Sequence, residues 1–144
     1  MIGKTIDELK LGDRAEFSKT ISETDIYLFA GVSGDLNPAH INEPYANNTF
    51  FKTRIAHGML VASFISTVVG MQLPGPGAIY VRQTLNFTAP ARIGDTITAS
   101  AEVTEIIPDK NRVRLKTVCA NQDGVIVLEG EADVSPPKAP RSQP

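Results

Sequence analysis

Gly58-Met59-Leu60-Val61-Ala62-Ser63-Phe64-Ile65-Ser66-Thr67-Val68-Val69-Gly70-Met71 contains no charged residue. Large apolar side chains recur all round a 3.6-residue turn, and the polar members, Ser63, Ser66 and Thr67, are small. A helix without a charged face is buried on most sides. Gly70, Gln72, Pro74, Gly75, Pro76 and Gly77 interrupt the uncharged run between Arg54 and Arg82. The apolar helix is therefore shorter than the roughly 20 residues that a bilayer requires. Within one chain of 144 residues, the simplest wrapper for such a helix is a curved sheet.

The sequence downstream supplies that sheet. Ala78 to Thr88 alternates Ile79, Val81, Gln83, Leu85 and Phe87 against Tyr80, Arg82, Thr84 and Asn86. Ala89 to Asp95 reads as a turn, Thr96 to Ile107 as a long strand and Pro108 to Asn111 as a hairpin turn. Arg112 to Asn121 continues as a strand whose Arg112 and Arg114 alternate onto the solvent face. Gln122-Asp123-Gly124 carries the Asp-Gly hairpin signal, and Val125 to Val134 is the last strand. Upstream, Leu11 to Ile21 reads as a strand. Thr20 or Ser22 caps a helix that presents Ile26, Phe29 and Ala30 and stops near Gly31. Val32 to Thr53 reads mostly as loop, with a helical turn at Pro44 to Asn47. The predicted architecture is α+β: a meander of four long antiparallel strands wrapped around a central apolar helix, which is the hot-dog arrangement. Residues 1–134 form this domain. Residues 135–144, rich in proline, form a flexible tail.

Apolar residues make up 42 % of the chain and charged residues 21 %, ordinary values for a globular domain. The formal net charge of −2 and the lack of a Lys/Arg cluster give no pull toward nucleic acid or an anionic membrane. Acids at Asp7 and Glu8 and no apolar h-region argue against a secretory signal, so the expected location is the cytoplasm. Cys119, alone in an apolar strand, reads as a small buried hydrophobe, and no Cys/His spacing fits a metal.

The chemistry concentrates in Ser33-Gly34-Asp35-Leu36-Asn37-Pro38-Ala39-His40, just inside the long loop. Asp35 and His40 can each handle a proton near neutral pH, and a stiff loop can aim both at one water molecule. Asn37 and Pro38 shape the path between them. The second histidine, His57, precedes Gly58, whose free N–H at a helix start favours negative charge.

This stretch, together with Ile55-Ala56-His57-Gly58-Met59-Leu60, resembles the signature of the MaoC-like, R-specific enoyl-CoA hydratases (hydratase 2). The likeness spans Leu11 to Val134. It implies a homodimer with neither metal nor redox cofactor. It also implies reversible addition of water to trans-2-enoyl-CoA, giving (R)-3-hydroxyacyl-CoA. Asp35, His40 and the Gly58 amide are then the catalytic groups, the amide serving as oxyanion contact. Asn37, His57, Ser66 and Val69 are the expected substrate-binding residues, with Val69 limiting acyl length. Tyr45, Phe50 and Phe51 are placed to cover the pocket. Arg82 and Arg92 read as solvated cations rather than contacts to coenzyme A phosphates. Three other functions share parts of this pattern: a dehydratase acting on (R)-3-hydroxyacyl thioesters of acyl carrier protein, a hot-dog acyl-CoA thioesterase, and a non-catalytic acyl-CoA-binding module.

Overall fold

The computed structural model describes residues 2–140. Its elements are β1 (Arg14–Thr20), α1 (Glu23–Ser33), α2 (Pro38–Ile41), α3 (Glu43–Asn47), α4 (Gly58–Met71), β2 (Ile79–Gln83), β3 (Asn86–Phe87), β4 (Thr96–Ile107), β5 (Arg112–Ala120) and β6 (Ile126–Ser135). The six strands form one antiparallel sheet in the order β1-β4-β5-β6-β2, and β3 also pairs with β6.

Helix α4 occupies the span its sequence predicts and packs against β1, β4 and β5. Leu60, Val61, Phe64, Ile65, Val68 and Val69 are buried on it. They meet Ile97, Ala99 and Ala101 of β4 and Leu115 and Cys119 of β5 in one core cluster. The alanines on β4 let the helix approach the strand backbone, and each large aliphatic side chain so buried contributes about 1.5–3 kcal/mol. Phe17 of β1 meets Phe64 edge-on, ring centroids 6.1 Å apart. No helix among the described residues is long and apolar enough to cross a membrane.

Several expectations are corrected. The four C-terminal strands are not a simple meander. Only β4, β5 and β6 follow one another, while β2 crosses to the far edge and pairs with β6. Its side chains Ile79, Tyr80 and Val81 are 65 %, 38 % and 47 % exposed, because no strand or helix among the described residues covers that edge. The strand from Ala78 to Thr88 also breaks in two at Thr84, whose N–H donates to Glu131 O.

Second, α1 runs through Gly31 to Ser33 and ends at Gly34, which takes the left-handed conformation at φ 78°. Ser22 is the N-cap, and Ser22 and Asp25 exchange side-chain and backbone bonds of 2.8 and 3.1 Å. Third, the long loop contains α2 as well as α3, the helical turn expected at Pro44 to Asn47; each is opened by an asparagine whose side chain caps the first turn. The tail expected from residue 135 is held at its start: Ser135 ends β6, Pro136 and Pro137 are buried, and Asn111 Nδ2 donates to Pro136 O at 2.9 Å. Residues 141–144 of that expected tail lie outside the described residues.

Candidate active site

The end of α1, the short helix α2 and the start of α4 converge on one cavity of about 550 Å³. Asp35, His40, His57 and Gly58 all line it. Each is placed by local backbone chemistry. Gly34 turns the chain out of α1, and Asp35 then forms an Asx turn in which Oδ1 accepts the Asn37 N–H at 3.1 Å. Asn37 caps α2 through the Ala39 N–H at 3.1 Å, and His40 sits on α2 9 % exposed.

His40 Nδ1 lies 2.8 Å from the Ile55 carbonyl oxygen. A carbonyl can only accept, so Nδ1 carries the proton and Nε2 is left as the working nitrogen. His57 is 1 % exposed, and its Nε2 donates to the Asp35 carbonyl at 3.0 Å. Its ring stacks on His40, centroids 3.9 Å apart and planes 30° apart, and its centroid is 4.9 Å from that of Phe29. Nδ1 of His57 is buried with no hydrogen-bond partner among the described residues. The stack thus fixes both the backbone of Asp35 and the ring of His40.

One side-chain atom from each of Asp35, His40 and His57 falls within 4.8 Å of the others. A water bonded to two groups at about 2.8 Å each spans roughly 4.5 Å between them, so Asp35 and His40 can share one water. The same trio is a formal candidate for a metal. Each ring gives one N–H to a carbonyl and so keeps its other nitrogen bare.

Gly58 opens α4, and His57 at the N-cap position offers no capping side-chain bond. The first-turn amide therefore stays free to meet an anion. A Cβ at Gly58 would lie 2.7 Å from Cε1 of Phe87, so only glycine lets this ring approach the helix start. The remaining wall is largely apolar, with Phe51, Met59, Val61, Phe87, Val127 and Leu128 prominent. Such a surface suits a hydrocarbon chain.

Other expectations fare differently. Asn37 does not line the cavity; its side chain is engaged as the cap of α2. Ser66 is exposed on α4, and Val69 is buried in the core, and neither borders the cavity. Two and three turns down α4, these positions have passed beyond the cavity, and Val61 takes the place expected of Val69. Of the loop aromatics, Phe51 lines the pocket, whereas Phe50 is 91 % exposed and Tyr45 lies at the surface. Arg82 pairs with Asp133 at 3.7 Å, and Arg92 Nη1 donates to Phe51 O at 2.9 Å. The Ile55 carbonyl and the Phe87 ring were not singled out in the sequence. A backbone acceptor leaves no side-chain signal, and Phe87 reads as one more alternating strand residue.

With this geometry in view, the comparisons with known proteins agree with one another. The family model described as a MaoC like domain matches residues 8–126. An (R)-specific enoyl-CoA hydratase of Rhodospirillum rubrum is 60 % identical over 91 % of this chain and 90 % of its own length. A 3-hydroxybutyryl-CoA dehydratase of Methylorubrum extorquens is 48 % identical over 96 % of this chain and 87 % of its own. The unliganded R-hydratase PhaJ1 of Pseudomonas aeruginosa superposes with a TM-score of 0.89 at 44 % identity, covering 99 % of this chain and 95 % of that one.

Proposed function

Because the chain belongs to the MaoC-like domain family, we propose that it is a hydro-lyase, an (R)-specific enoyl-CoA hydratase that adds water reversibly to trans-2-enoyl-CoA. The observation that carries the reading is the spacing of Asp35 and His40 within 4.8 Å at the wall of an apolar cavity, with the Gly58 amide beside them.

The enoyl thioester enters with its acyl chain against the apolar wall and its carbonyl oxygen at the Gly58 N–H. Asp35 and His40 hold one water over C3. As the water oxygen bonds to C3, His40 Nε2 takes one of its protons, while the Asp35 carboxylate holds the other O–H and sets the attack direction. The C2–C3 π pair moves toward C2, and negative charge reaches the thioester oxygen, where the amide stabilises it. His40 then returns its proton to C2 on the same face. General acid–base help of this kind is worth ~10²–10⁴ in rate, and one oxyanion donor a further ~10²–10³. Every step uses groups of the chain itself, so the reaction requires neither metal nor redox cofactor.

The chain acts as a homodimer in this reading. The apolar, uncovered β2 edge supports it, since an exposed strand of this kind pairs readily with a second copy. Sedimentation should give twice the chain mass, and a monomer at micromolar concentration contradicts the dimer. A single buried free thiol fits a reducing compartment, and the location we assign is the cytoplasm.

The test is a spectrophotometric assay with crotonyl-CoA and a longer trans-2-enoyl-CoA. Loss of the conjugated absorbance with formation of the R alcohol supports the hydratase. Release of free thiol instead identifies a thioesterase. A marked rate preference for the carrier-protein thioester over the coenzyme A thioester identifies the dehydratase of carrier-bound chains.

A further inference from the structure

Arg54 joins the chain segments that carry the two proton-handling groups. Its side chain is 12 % exposed. On one side, Nη2 donates to Glu23 at 2.7 Å and Nη1 to the Tyr27 hydroxyl at 3.1 Å, both on α1, the helix that delivers Asp35. The Tyr27 hydroxyl donates in turn to the same Glu23 oxygen at 2.8 Å, closing a ring of three bonds. On the other side, Nε and the backbone N–H of Arg54 both donate to Glu43 Oε2, at 3.1 and 3.3 Å. Thr53 Oγ1 donates to Glu43 Oε1 at 2.6 Å. Glu43 opens α3, two residues after the end of α2, which bears His40. Arg54 also directly precedes Ile55, whose carbonyl receives the His40 Nδ1 proton.

We propose that Arg54 is a positioning residue for the Asp35–His40 pair: its guanidinium forks between Glu23 and Glu43 and thereby holds the Ile55 carbonyl that orients His40. The proposal rests on that pair being the catalytic one. An exposed ion pair is worth little by itself. Here one planar cation spans partners 31, 27 and 11 residues away in sequence and directly precedes the residue whose carbonyl meets His40 Nδ1. Lysine, a point charge on a flexible stem, cannot bridge both carboxylates and the phenol. A displacement of about 1 Å at the reacting groups is enough to cost ~10² in rate.

The test uses the full chain with Arg54→Met, Arg54→Lys and Glu43→Gln, each assayed on crotonyl-CoA well below its own melting temperature. In parallel, long-range ¹H–¹⁵N spectra of the imidazoles are recorded. The chain has two histidines, so one His40→Gln variant assigns both spin systems. Arg54→Met is expected to lower kcat about 10- to 100-fold while KM changes less than about 3-fold. Arg54→Lys should recover little of the loss. The His40 Nδ1 resonance should move in both Arg54 variants and less far in Glu43→Gln, which removes one arm of the fork with little change in shape. An unmoved His40 Nδ1 resonance in Arg54→Lys and Glu43→Gln overturns the proposal. So does a kcat within about 2-fold of wild type in either Arg54 variant. The spectra need no substrate. A wild-type chain unable to hydrate crotonyl-CoA would therefore refute the hydratase reading, while the resonance shift would still decide whether Arg54 sets the His40 ring.

Discussion

At the scale of single residues, the site is a set of short hydrogen bonds that leave one functional atom free on each group. His40 gives Nδ1–H to Ile55 O and keeps Nε2. Asp35 accepts the Asn37 N–H at Oδ1 and leaves Oδ2 without a hydrogen bond among the described residues. Gly58 is held to glycine by the ring of Phe87. Gly58→Ala should therefore force that ring aside and lower kcat/KM about 10- to 100-fold, whereas the same change in a Phe87→Ala background should cost much less. Equal losses in the two backgrounds would show that the methyl acts elsewhere. Cys119 gives a second residue-level test. Burial pushes its thiol up to about 12. The folded protein should resist iodoacetamide at mildly alkaline pH, as read by mass spectrometry, and become alkylated on unfolding. Asp35 and His40 were legible in the sequence because motif and chemistry coincide within a few residues. The partner that orients His40 was not, since Ile55 lies 15 residues away and acts through its backbone.

At the scale of elements, sequence pattern and structure agree where burial is periodic. The bounds of α4 and of β4 match their apolar patterns because each buries a face against the other. The short helix α2 escaped notice because at four residues it shows no periodicity, whereas Pro44 gave α3 away as a helical turn. The proline start and asparagine cap of α2 read equally well as a turn. Strand order was also not legible, because alternation shows which residues face inward but not which strand lies alongside. The crossing of β2 and β3 over β6 depends on Gly130, where a Cβ would sit 1.8 Å from the Thr84 carbonyl oxygen. Gly130→Ala should lose more than about 2 kcal/mol of stability in denaturant melts, because one backbone segment must move. Ser22→Ala, which removes the cap of α1, should cost about 1 kcal/mol. A Gly130→Ala midpoint equal to wild type would contradict the close packing of these strands.

At the scale of the whole molecule, charge fastens the periphery to the core. Hydrogen bonds from Arg54 and then Tyr27 hold the Glu23 carboxyl below its ordinary value, and Thr53 and Arg54 do the same for Glu43. Arg114, with a smaller share from Arg82, lowers Asp133. A carboxyl whose value is lowered on folding stabilises the fold above its unfolded value and loses that contribution as pH falls through the folded one. The melting temperature should therefore drop between about pH 5 and about pH 2, and Glu43→Gln should flatten part of the drop. An acid limb identical in that variant would show that the α3 contact contributes nothing. In the proposed mechanism, two side chains address the same water above an apolar cavity. The most direct measurement of that arrangement is kcat on crotonyl-CoA for Asp35→Asn, His40→Gln and the double variant. Each single change should cut kcat by ~10²–10⁴, and the double should fall little further, because either loss already releases the shared water. Near wild-type turnover in either single variant, or a double loss equal to the product of the two, would contradict a shared water.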